Sequence, residues 1–151
     1  MSSRIVSSDA LAAALTPRLQ AVAPPGIGVE VVGAYEGLGF TLSDEKTDDL
    51  VGTNIVDSDY PPGGIPLDEV VFDLLELLHH FQDFVVRRRR GAWPSSSNAH
   101  FPHRVLALAH RDEDPPRPGA RLDHAYVRMW YGDRDGPTLA LAPIPLAEIL
   151  R

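Results

Sequence analysis

Apolar residues recur at helical spacing in two stretches of this chain and at a period of two in several others. In the first stretch, Leu11, Leu15, Leu19 and Val22 fall on one face of a helix predicted over Asp9–Val22, with Ser8 or Asp9 in position to cap it. Pro17 lies inside that span, so either the helix kinks there or a second turn starts with Thr16 as cap and Pro17 as its first residue. Pro24-Pro25-Gly26 ends the element. Ile27–Val32 then alternates as a strand, Tyr35-Glu36-Gly37 makes a turn, and Leu38, Phe40 and Leu42 share one face of a partner strand. Ser43–Asp49 is an acidic loop, and Val51–Val56 reads as a third strand, weakened by Gly52 and Asn54.

The longest periodic element is a helix predicted from Leu67 to Arg90. Leu67, Val71, Leu74, Leu78, Phe81 and Val85 step by four and three, and Val70, Leu75, Leu77 and Phe84 widen the apolar stripe. Glu69, Asp73, Glu76, His80, Asp83 and Arg87 repeat at the same spacing on the far side, which predicts a water-facing stripe. Acids open the helix and Arg87, Arg88, Arg89 and Arg90 close it, the arrangement the helix dipole favours. Gly91 supplies the stop, and Trp93-Pro94 prevents the helix from resuming.

Beyond it, Arg104–His110 and Leu122–Tyr131 have strand character. Ala125, Val127, Met129 and Tyr131 occupy one face of the second strand, and His124, Tyr126, Arg128 and Trp130 the other. Gly132–Pro137 turns into a last strand, Thr138–Ala142, and Leu146–Arg151 adds a helical turn. The order is α-β-β-(β)-α-β-β-β, an α+β domain over residues 1–151 in which the long helix packs on an antiparallel sheet.

Charge changes this picture in one respect. Of the net −7, residues 30–83 carry thirteen acids against the single Lys46, whereas eleven arginines face seven acids from Arg87 onward. Such asymmetry is compensated within the fold or presented to partners as faces of opposite sign. Arg87–Arg90 beside Trp93 could neutralise phosphates and stack a base, but the overall negative charge opposes nucleic acid as a partner. With no cysteine, disulfides and thiolate sites are excluded, which agrees with a cytoplasmic location. The start of the chain lacks the apolar run of an export signal. Val70–Val86 is too interrupted by polar residues to span a membrane, which takes about 20 mostly apolar residues.

The six histidines fall within residues 79–124 and are the only grouping that resembles a metal site. Glu76-x-x-His79 has di-iron spacing but lacks the four-helix context. His100 and His103, with His110 or His124 as a third ligand, could hold zinc with an open position for water. Against this stands the ordinary reading, histidines in loops and strands. The Asp-rich turns lack the spacing of a calcium loop, and nucleophile-elbow, phosphate-loop and dinucleotide patterns are absent, so no cofactor is called for.

Met129–Leu146 (MWYGDRDGPTLALAPIPL), Pro24-Pro25-Gly26-Ile27, and Phe81-Gln82-Asp83-Phe84-Val85 followed by Trp93-Pro94 resemble, in the same order, a family of small actinobacterial proteins without an assigned activity. The resemblance implies no catalytic residue, and Arg87–Arg90 departs from it. The leading expectation is a non-catalytic cytoplasmic accessory or protein-binding domain. Its contacts are expected at Arg87, Arg88, Arg89, Arg90 and Trp93, or at Tyr126, Arg128 and Trp130, with self-association through the helix stripe or a sheet edge. The competing expectation is a metal-binding protein or metal-dependent hydrolase built on His100, His103, His110 and His124.

Overall fold

The computed structural model describes residues 4–91, 93, 94, 125–132 and 136–151, and residues 104–110 in their backbone. Among these it contains two helices and nine strands, all paired antiparallel, in the α+β order expected. The helix α1 spans Ser8–Val22. Its cap is Ser7, one residue earlier than the pattern suggests, with the Ser7 side chain accepting from Ala10 N–H. The shift follows from a strand the pattern misses: Ile5–Ser7 (β1) pairs with Gly64–Pro66 (β5), so the chain arrives extended. The helix runs through Pro17, which sits exposed. The carbonyl that loses its bond is that of Ala13, also on the exposed side, where water can satisfy it.

Ile27–Ala34 (β2), Gly37–Asp44 (β3) and Asp49–Val56 (β4) form a meander in the order β2-β3-β4. The acidic loop is shorter than expected, because β3 runs to Asp44 and β4 starts at Asp49. Gly37 lets the first hairpin turn tightly: its φ is 145°, and a Cβ there would collide with the Ile55 carbonyl oxygen. Leu38, Phe40 and Leu42 point into the core with Val29, Val31 and Ile55.

After β5, Leu67–Glu69 makes a single 3-10 turn that leads into the long helix α2, Val70–Arg89. Leu74, Leu77, Leu78, Phe81 and Val85 are fully buried, in keeping with its apolar stripe. The stop differs from expectation: Arg90 rather than Gly91 takes the left-handed conformation, with φ 54° and ψ 40°, and its N–H donates to Val86 O.

The remaining strands are Arg104–His110 (β6), Ala125–Gly132 (β7), Pro137–Ala140 (β8) and Ile144–Pro145 (β9). They form a second sheet in which β7 pairs with β6 on one side and with β8 and then β9 on the other. Ala125, Val127, Met129 and Tyr131 enter the core, and the Tyr131 hydroxyl donates to Leu78 O at 2.8 Å, tying this sheet to α2. The long helix therefore meets two antiparallel sheets instead of one. The last residues make a 3-10 turn, Leu146–Glu148, and close on β1, with Ser7 N–H donating to Ile149 O and Arg151 N–H to Ile5 O.

Candidate functional site

The edges of the meander differ in how their backbone groups are satisfied. On β2, the Thr16 hydroxyl accepts from Val31 N–H at 3.0 Å and donates to Val31 O at 3.2 Å. Gln20 does the same one turn along, accepting from Val29 N–H at 3.0 Å and donating to Ile27 O at 2.9 Å. Two side chains of α1 thus occupy the outward amides of Val29 and Val31, and the N–H of Ile27, also outward, donates to Pro24 O at 3.1 Å. The ladder alternates, so residues 28, 30 and 32 of β2 bond to β3. Following the register across, the inward amides of β4 are those of Asp49, Val51, Thr53 and Ile55, and the outward ones those of Leu50, Gly52, Asn54 and Val56.

No hydrogen bond is made by those four outward amides among the described residues. The side chains beside them are also uncovered, Leu50 being 72% exposed and Val56 54%. Burial lapses toward the start of β4 on its core side as well, from Ile55 (buried) through Thr53 (half-buried) to Val51 (exposed). There a cleft of about 370 Å³ opens between sheet and helix. Leu42, Val51 and Thr53 form its strand wall, and His80, Asp83, Phe84, Arg87 and Arg88 its helix wall. Arg88 closes one end, paired with Asp49 and stacked 5.0 Å over the Phe84 ring. The result is an apolar groove with a polar mouth beside an unpaired strand edge, the geometry in which an extended chain adds to a sheet.

The expected contact residues divide. Arg87, Arg89 and Arg90 are exposed, and Arg88 is committed to Asp49 and Phe84. Trp93 is buried, with its ring edge-on to both Phe81 and Tyr131 at 5.3 Å, and Gln82 Nε2 donates to its carbonyl at 2.9 Å. It anchors the end of α2 instead of presenting an indole to a partner. Trp130 is only 2% exposed, with the Arg128 guanidinium 5.0 Å from its ring and its Nε1 without a hydrogen-bond partner among the described residues. Tyr126 and Arg128 are half-buried. A second cavity of about 290 Å³ lies by that face.

The metal expectation falls mostly on residues 100, 103 and 124, which lie outside the described residues, while His110 is placed only by its backbone in β6. Among the described residues no three His, Asp or Glu side chains are grouped to hold an ion. His80 is exposed, with Nε2 3.8 Å from Glu76 Oε1.

One polar pair escapes the sequence pattern altogether. Asp73 belongs to the supposed water-facing stripe but is buried, both of its oxygens accepting from the Tyr60 hydroxyl at 3.1 and 2.9 Å. Phe72 beside it is 67% exposed. Burial, and then the nearby carboxylates Glu76, Glu69 and Asp57, push the Asp73 carboxyl up to about 6 despite the opposing Tyr60 hydrogen bond. Burial and Asp73 likewise raise the Tyr60 hydroxyl. The pair fastens the loop that leaves β4 to α2. Its two buried hydrogen bonds make it a structural tie.

Compared with protein-family models, curated proteins and solved structures, the chain matches none. Among the described residues no helix is long and apolar enough to cross a membrane.

Proposed function

We propose that this chain is a non-catalytic cytoplasmic protein-binding domain that recognises an extended protein segment along β4, whose alternate side chains enter the cleft against α2. The observation that supports the reading is the contrast between edges: α1 bonds the outward amides of Val29 and Val31 in the middle of β2, while those of β4 make no bond among the described residues and stand beside exposed apolar side chains. Backbone pairing supplies affinity in such a complex, and the cleft supplies selectivity. Leu42, Val51 and Phe84 favour an apolar side chain, and Arg87 at the mouth favours an acidic neighbour.

The test compares the wild-type chain with Gly52→Pro in affinity capture from native lysate. Proline removes an outward N–H that β3 does not use, and the space around Gly52 is open, with nothing within 4 Å of a Cβ placed there. The wild type is expected to retain a stoichiometric protein, its own untagged chain included, and Gly52→Pro to lose it. Equal retention by both, or none by either, would overturn the reading.

A further inference from the structure

We infer that the segment received by β4 is the β4 of a second copy of the chain, paired antiparallel about a two-fold axis at Thr53. The inference rests on the edge-docking reading above and names its occupant. Two features of β4 carry it, apolar fit and charge.

The outward amides of Leu50, Gly52, Asn54 and Val56 limit the choice of register. In an antiparallel pair, residues that exchange backbone bonds stand opposite each other, so even-numbered residues must face even-numbered ones. With the axis at Thr53, Gly52 bonds to Asn54 of the second copy and Leu50 to its Val56. That register sets the two most exposed apolar side chains of the strand, Leu50 at 72% and Val56 at 54%, against each other on one face, and symmetry does so twice. On the opposite face, Val51 meets Ile55 of the second copy. The single contact thereby covers Leu50, Val51 and Val56, half of the six large apolar side chains that stand exposed among the described residues.

Charge selects the antiparallel sense. The strand begins beside the arginine end of α2, where Arg88 holds Asp49, and it is followed by Asp57 and Asp59. Antiparallel pairing brings the acids of one copy to the arginine end of the other. There Arg87 at the cleft mouth and Arg88 offset the Asp49 and Asp57 carboxylates that become neighbours. Parallel pairing would leave acids beside acids and arginines beside arginines, and like charges directly opposite each other are destabilising. The two meanders would then form one continuous six-stranded sheet whose outermost strands are the β2 strands already sealed by Thr16 and Gln20.

Light scattering on the full chain and a cysteine scan test this together. The wild type is expected at twice the monomer mass at high concentration, and Gly52→Pro and Leu50→Lys at the monomer mass with unchanged circular dichroism. The natural sequence has no cysteine, so a single one reports its own neighbour. Thr53→Cys lies on the axis in a non-bonded pair, where Cα atoms approach to about 4.5 Å. It is expected to form an intermolecular disulfide under mild oxidation far faster than Glu30→Cys, an exposed control on β2. A wild type that stays monomeric would overturn self-pairing while the capture experiment still judges the edge. A dimer indifferent to both edge variants, or equal oxidation rates for the two cysteines, would overturn it as well.

Discussion

Two edges of one three-stranded sheet, β2 and β4, have the same length and share β3 as neighbour, yet one is closed by side chains and the other is open among the described residues. The closed edge costs nothing in special structure. Thr16 and Gln20 stand four apart on α1, so one helix face meets alternate residues of a strand, and each side chain both donates and accepts. The open edge has α2 beside it, but that helix turns apolar residues and arginines toward the face of β4 and offers nothing to its rim. A helix covers an edge only when short polar groups fall at the right spacing, so an amphipathic helix can protect the face of a sheet and leave its rim open.

Four outcomes would break or sharpen this comparison. The largest comes from the strand common to both edges. Phe40 packs between Val31 and Thr53 at 1% exposure, and Phe40→Ala is expected to cost about 3–5 kcal/mol in chemical denaturation. It loosens β2 and β4 alike, so hydrogen exchange should accelerate at both.

Next is the tie that holds the exit of β4. Asp73 keeps its proton up to about pH 6 when folded but releases it near 3.8 when unfolded. Between those values the folded state binds more protons, so this group's contribution to stability is largest below about pH 4, declines as pH rises to 6, and is level above. The loss is at most about 3 kcal/mol. Asp73→Asn keeps a partner for Tyr60 and is expected to remove that slope, as urea titrations of both proteins between pH 4 and 7 would show. Identical slopes would refute the assignment.

Unsealing β2 comes third. Thr16→Val preserves shape but strands the Val31 N–H and carbonyl, a penalty of about 1–3 kcal/mol readable as a lower urea midpoint. The smallest effect belongs to the open edge, where Leu50→Lys is expected to change the stability of the monomer by no more than about 0.5 kcal/mol. If Thr16→Val were as harmless as Leu50→Lys, the two edges would be energetically equivalent and the contrast would lose its meaning.

Much of the architecture was legible from periodicity. The stripe of α2, the alternation of β3 and the core face of β7 each involve several residues in register, and all but Val71 and Leu75, which are half-buried, are buried as the pattern requires. Elements of two or three residues, β1, β5 and β9, are too short to show a period, and β1 in turn moved the cap of α1. Asp73 was misplaced because helical spacing reports an angle around the axis, whereas burial depends on what arrives from elsewhere, here Tyr60 thirteen residues earlier. Trp93 and Trp130 show the same limit, since an indole serves a core or a surface equally well. The proposed contact site is half visible in the sequence. Arg87–Arg90 stands out as a charge run, but the rim of β4 is a property of strand order, and in sequence Gly52 and Asn54 read only as weaknesses of a strand.

The bond from Ser7 N–H to Ile149 O, and that from Arg151 N–H to Ile5 O, join the first described strand to the last residues of the chain. During synthesis, β1 can gain β5 as a neighbour once residue 66 has cleared the ribosome, but its other side must wait until residues 149–151 have been made. A nascent chain of this protein therefore carries a half-satisfied first strand until residues 149–151 have emerged, and the segment around β1 locks only then.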